Sequence, residues 1–175
     1  IMALPIGLIC GLAPQLLTVW VGIEFAFLWP LIVLLTIHLA VNLAVLPLFS
    51  INVSYNRVRI PGIVSFFMGI GNLVLAVTIP LFTGLGYYGV ALAGAIVLTI
   101  KNTIFTPWYA TRILGINIHT FTRSMLPGIV TTFLIGILAA TLGMVLPFTT
   151  IIGLAVIAIV ISVTFFIAVW MFCLN

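Results

Sequence analysis

Apolar residues run along this chain in six long stretches, and polar residues collect in the short gaps between them. The stretches cover about 3–21, 26–53, 61–83, 87–113, 122–145 and 148–174. A helix needs roughly 20 apolar residues to cross about 30 Å of hydrocarbon, so each stretch is a predicted transmembrane helix. Pro5 and Pro14 fall inside the first, and Pro61 opens the third, where proline suits a helix N-terminus. The second is unusually long; a break near Pro47 would divide it into two shorter pieces, but only a single spanning segment keeps the count consistent. The links "NVSYNRVRIPG", "TGLGYYG", "LGINIHTFTRS" and "LPFTT" are too short for a soluble domain. The pattern predicts an all-α integral membrane protein, with residues 1–175 forming one bundle of six transmembrane helices.

Composition fixes the solvent. Of 175 residues, 65% are hydrophobic and 3% charged, where a soluble domain carries about a quarter charged residues. Mean hydropathy is +1.54. The net charge of +4 is too small to indicate nucleic acid, but its distribution predicts topology. Arg57 and Arg59 lie between the second and third stretches, and Arg112 and Arg123 flank the link from the fourth to the fifth. The alternate links carry no Lys or Arg, and Glu24 sits in one of them. Basic residues favour the cytoplasmic side, so both ends of the chain are expected in the cytoplasm. The chain opens as if in mid-protein and is expected to be a fragment. Cys10 and Cys173 lie in apolar runs and are expected to remain unpaired.

Polar residues inside a span cost free energy unless paired, so they mark the faces that avoid lipid. His38, Asn42, Val45, Phe49, Asn52 and Asn56 recur at helical spacing on the second span. Gly62, Ser65, Gly69, Asn72 and Ala76 do the same on the third, and Gly7 and Gly11 give G-x-x-x-G on the first. Helix packing is the favoured reading, with His38, Asn42, Asn72 and Asn102 as a polar seam. The sixth span carries only Ser162 and Thr164 between Ile151 and Leu174, which predicts a lipid-facing helix at the periphery.

The fourth span presents two polar faces. Thr99, Asn102, Thr103, Thr106 and Tyr109 cover one, and Lys101, Phe105, Trp108 and Arg112 nearly the opposite one. One assignment packs the Thr/Asn face and lets the Lys/Phe/Trp/Arg face line a water-filled cavity; the reverse is also open. Pro107 is a further candidate to kink the helix and disturb this phase. Lys101 sits about 21 Å into the span at 1.5 Å per residue, and Glu24 is the sole acid of the chain. An unpaired charge at that depth costs from about 2.5 kcal/mol upwards. Lys101 is therefore neutral, hydrated in a cavity, or paired with something outside this chain. Metal-ligand spacings, paired carboxylates, nucleophile triads and phosphate loops are all missing, so neither a metal, a cofactor nor an enzyme activity is expected.

Three stretches together carry a family resemblance. "LTVWVGIEF" (17–25) resembles the end of the seventh span of polysaccharide flippases in the multidrug/oligosaccharidyl-lipid/polysaccharide (MOP) exporter superfamily. Residues 52–96 are similar to the family's basic link, its span with a central Asn, and the pattern that follows, here Asn72, Pro80, Gly86, Gly89, Ala91 and Ala93. "ATRILGINI" (110–118) resembles the segment that leaves the tenth span for the cytoplasm. The resemblance implies the C-terminal half of a twelve-helix, two-lobed transporter that lacks its N-terminal lobe here. Its implied role is translocation of polyprenyl-diphosphate-linked oligosaccharide across the cell membrane by alternating access, for cell-surface polysaccharide biosynthesis. Lys101, Phe105, Trp108 and Arg112 would then contact the anionic lipid-linked oligosaccharide, with a glycan polymerase complex as a further partner. The rivals are a cation/drug antiporter of the same superfamily, which usually needs intramembrane carboxylates, and a non-transporting scaffold of a glycan-assembly complex.

Overall fold

The computed structural model describes residues 2–146 and 150–173. The predicted ends of the sixth span at 148 and 174 lie outside them, as does the side chain of Cys173; Cys10 is a free thiol. All regular structure among the described residues is helical. The helices are α1 (Ala3–Gly11), α2 (Ala13–Trp20), α3 (Trp29–Ile37), α4 (Leu39–Ala44), α5 (Leu46–Ser54), α6 (Arg59–Thr83), α7 (Tyr87–Ile100), α8 (Thr106–Leu114), α9 (His119–Val145) and α10 (Ile151–Cys173). A 3-10 helix, Ile23–Leu28, precedes α3, and a π-helical segment, Lys101–Phe105, joins α7 to α8.

Among the described residues, five stretches are helical, long enough and apolar enough to cross a membrane: Ile23–Ala44, Arg59–Thr83, Tyr87–Leu114, His119–Val145 and Ile151–Met171. The predicted first span is instead a bent pair, with α1 and α2 meeting at 71°. Pro14 explains the bend: it has no N–H for the Cys10 carbonyl, and its ring crowds that oxygen. The long second stretch is segmented as well. Its spanning part ends at Ala44, and α5 restarts with Pro47 in its first turn, so the expected single helix over 26–53 gives way to the alternative of two pieces. Pro61 sits in the first turn of α6, where its missing donor costs nothing.

The chain divides into two compact units, Ile1–Ile37 with Ile129–Asn175, and His38–Gly128. In the first, Leu4 and Leu12 pack with Ile135 and Ala139 of α9 and Leu154, Ile157 and Ile161 of α10. A Cβ on Gly7 would come within 2.8 Å of Ile135 and 2.9 Å of the Thr132 carbonyl, so the G-x-x-x-G pair permits a close backbone approach. α10 buries Gly153 and the apolar stripe Leu154, Ile157 and Ile161, and Ile152, Ile159, Val163, Phe166 and Trp170 stay exposed. The hydroxyls of Ser162 and Thr164 donate to the Ala158 and Val160 carbonyls at 2.6 and 2.8 Å, so neither needs a partner from a neighbouring helix.

In the second unit, Val45 and Leu48 pack on Ala110, flanked by Phe49, Ile51, Phe121 and Met125. α6 and α7 form a close helical hairpin, in which a Cβ on Gly89 would meet Pro80 at 3.0 Å. The turn between them uses Gly84 at φ +68° and Gly86 at φ +51°, ψ −129°. The second conformation is open essentially only to glycine, so Gly86→Ala is expected to destabilise the hairpin by about 1–3 kcal/mol. Thermal unfolding of the full-length protein in detergent checks this, and an unchanged midpoint would contradict it.

The exposed surface identifies the solvent independently of composition. α6 buries no residue, and Leu81 and Phe82 are 74% and 86% exposed. Water-soluble monomers rarely expose contiguous apolar faces of this size, whereas a bilayer requires them. This is a multi-pass membrane protein.

Candidate anion site in the second unit

The site is built where α7 gives way to α8. Pro107 has no N–H, and in an α-helix its ring would press on the Thr103 carbonyl. The π-helical turn at Lys101–Phe105 widens the helix just before it. The Thr106 hydroxyl lies 3.4 Å from the Lys101 carbonyl oxygen, five residues back, and 3.1 Å from Asn102 Oδ1. The extra residue shifts the phase that a regular helix would give, as Pro107 foreshadowed. Asn102, Thr106 and Tyr109 are buried, but Thr103, expected on the same face, is exposed.

The Thr/Asn face packs. Asn102 Nδ2 donates to Asn42 Oδ1 of α4 at 2.8 Å, joining two members of the predicted seam. Transmembrane hydrogen bonds of this kind average about 0.6 kcal/mol and reach about 1.7. A double-mutant cycle with Asn42→Leu and Asn102→Leu is expected to give a coupling of about 1 kcal/mol in unfolding measurements; additive single effects would contradict the bond. His38 caps α4, its carbonyl accepting the Val41 and Asn42 N–H groups at 3.2 and 3.1 Å.

Asn72 does not join that seam. It lines a cavity of about 140 Å³ together with Ser65, Gly69, Val97, Leu98 and Lys101. Its Oδ1 is buried and, among the described residues, without a hydrogen-bond partner, near Gly94 of α7. Gly62 and Gly69 have nothing near the position of a Cβ, so this part of the small-residue stripe on α6 is an open wall rather than a packing surface. Small residues at helical spacing signal either, and the sequence alone does not separate them.

Lys101 is half-buried, with its ammonium 5.6 Å from the centre of the Phe49 ring of α5. Among the described residues the ammonium has neither a carboxylate nor a hydrogen-bond partner. The cation–π contact is worth about 0.5–2 kcal/mol and offsets only part of the cost of the charge.

The other three predicted contacts lie further along the same helix. Phe105 stacks on Tyr109 with ring centres 5.6 Å apart and lies 6.2 Å from Trp108. The Arg112 guanidinium lies over the Trp108 ring at 5.6 Å. Trp108 and Arg112 line a separate cavity of about 460 Å³ with Tyr55, Arg57, Ile60 and Tyr109. The structure therefore divides the predicted stripe: Lys101 belongs to one cavity, Trp108 and Arg112 to another, and the Phe105 ring packs on Trp108 and Tyr109 of the second. Arg57 and Tyr109 were missed as members. The Tyr109 hydroxyl donates to the Arg57 carbonyl at 3.2 Å across 52 residues of sequence, a contact with no local signal.

The fold and site thus define a multi-pass helical membrane protein with an uncompensated cation inside a span and two arginines at a second cavity. Comparison with known proteins adds one relative. The uncharacterized membrane protein EpsK of Bacillus subtilis (strain 168) is 44% identical over 126 residues, which cover 72% of this chain and 25% of that protein. The aligned part of this chain thus spans about a quarter of the length of that relative. No family model matches, and no solved structure matches.

Proposed function

We propose that this chain is part of a carrier that moves polyprenyl-diphosphate-linked oligosaccharide across the cytoplasmic membrane by alternating access, without covalent chemistry. The observation that carries this reading is the half-buried Lys101, in a span, lining a cavity that also holds Ser65 and Asn72 and, among the described residues, without a counter-ion. Such a cation is costly when empty and favours an anionic cargo when loaded. Phe105 and Trp108 offer faces on which sugar rings stack, and Arg112 draws the head group toward the mouth of the path. The remainder of the full-length protein supplies the opposite lobe, both ends of this segment face the cytoplasm, and a glycan polymerase complex takes the product. The cation/drug antiporter reading is disfavoured, since such carriers usually need intramembrane carboxylates and the sole acidic residue of this chain, Glu24, is exposed on the 3-10 helix Ile23–Leu28.

Water access tests the reading. In the full-length protein with Cys10 and Cys173 replaced by alanine, Lys101→Cys is expected to react with a membrane-impermeant thiol reagent in at least one transport state. Failure to label in every state would contradict it and favour a non-transporting scaffold.

A further inference from the structure

The cavity of about 460 Å³ at the ends of α5, α6 and α8 is a site in its own right. Its walls are of two kinds. Arg57 and Arg112 supply guanidinium groups, and Ile60 and Ile113 supply apolar surface. Among the described residues neither arginine has a carboxylate partner. Two cations lining one cavity repel each other unless an anion lies between them, and guanidinium forks match phosphate oxygens in geometry. The Arg112 fork is already oriented by the face of Trp108. The link carrying Arg57 is held by the Tyr109 hydroxyl on the Arg57 carbonyl, and the Arg57 N–H donates to the Asn52 carbonyl at 2.8 Å. The site is thus fixed by contacts that leave both guanidinium groups free to bind.

A free phosphate needs no apolar wall. From Ile60, exposed apolar residues continue along one face of α6 through Ile63 and Phe67, at i+3 and i+7. Trp108 and Tyr55, each about half exposed, are the amphipathic rings that settle at head-group level. The juxtaposition fits an amphiphile with an anionic phosphate head and a hydrocarbon tail. We infer that Arg57 and Arg112 hold the phosphate of a membrane lipid at the cytoplasmic boundary, with its tail along the Ile60–Ile63–Phe67 face. The lipid is either an anionic glycerophospholipid or a polyprenyl phosphate, which share this chemistry. The inference stands whether or not the chain translocates anything.

Native mass spectrometry of the purified full-length protein tests it, with phosphatidylglycerol, a polyprenyl phosphate, phosphatidylcholine and inorganic pyrophosphate as separate probes. Wild type is expected to retain one phosphatidylglycerol or polyprenyl phosphate at concentrations where R57A/R112A retains at least tenfold less. R57K/R112K, which keeps the charge but loses the fork, should fall between them and guards against misfolding of the alanine variant. R59A/R123A, which removes the same charge elsewhere, should bind as wild type. Preference for one of the two anionic lipids identifies the source, and either preference supports the site. Equal binding by R57A/R112A and wild type would overturn it. So would an equal loss in R59A/R123A, or inorganic pyrophosphate binding as tightly as the lipids. No transport is measured, so failure here is distinct from failure of the carrier reading.

Discussion

Gly11→Val is expected to leave the full-length protein without a stable first unit. A Cβ at this position would overlap the Gly136 carbonyl oxygen and lie 2.6 Å from the Ala139 Cβ and 3.0 Å from the Ala140 nitrogen. Two of these three obstacles are backbone atoms of α9, which cannot turn aside as a flexible side chain would. Overpacking of a well-fitted core costs about 1–3 kcal/mol, and valine adds two methyls beyond the Cβ that already clashes. The expected loss lies at or above the top of that range. The contact matters because Leu12 and Ala139 belong to the core that also seats α10 through Leu154, Ile157 and Ile161. Fluorescence-detected size exclusion after stepwise heating would show the variant losing its monodisperse peak well below wild type. Gly62→Val is the control, since nothing lies within 4 Å of its Cβ position, and it should shift the midpoint little. Equal midpoints for Gly11→Val and wild type would contradict the packing of α1 on α9.

Gly7 and Gly11 made a close helix approach legible without naming α9 as the partner, and the same small-residue spacing on α6 turned out to mark an open wall. The helical class and the membrane environment were equally legible, since runs this apolar admit few other structures. Helix continuity was less so. Pro14 and Pro47 both announced trouble, yet hydropathy does not say whether a proline bends a span by a few degrees or by 71°. The site was legible in its members and not in its grouping. Periodicity placed Lys101, Phe105, Trp108 and Arg112 on one stripe, but the π-helical turn before Pro107 changes the phase within that stripe. Asn72 looked like a packing residue because the sequence shows its neighbours on α6 and not the cavity they wall. Arg57 entered the picture only through a tertiary contact with Tyr109.

The second large effect concerns Lys101, and it couples stability to function in opposite directions. Removing an uncompensated charge from mid-span relieves a cost of about 2.5 kcal/mol or more. The neutral, similarly long Lys101→Met variant should therefore be at least as stable as wild type. The anionic cargo of the proposed carrier should, in contrast, lose a charge-assisted bond worth about 1.5–3 kcal/mol, or roughly ten- to a hundredfold in transport efficiency. Lys101→Arg keeps the charge and should retain an intermediate activity. A residue that merely braces the bundle would show the reverse, with lower stability and export reduced only in proportion to protein level.

The most direct measurement is glycan export by a host that depends on the full-length protein, compared among wild type, Lys101→Met and Lys101→Arg at matched protein level, alongside their thermal midpoints. A carrier that grips an anion through Lys101 predicts export lowered at least tenfold in Lys101→Met, partly kept in Lys101→Arg, with no loss of stability in the methionine variant. Normal export by Lys101→Met at a normal protein level would contradict it.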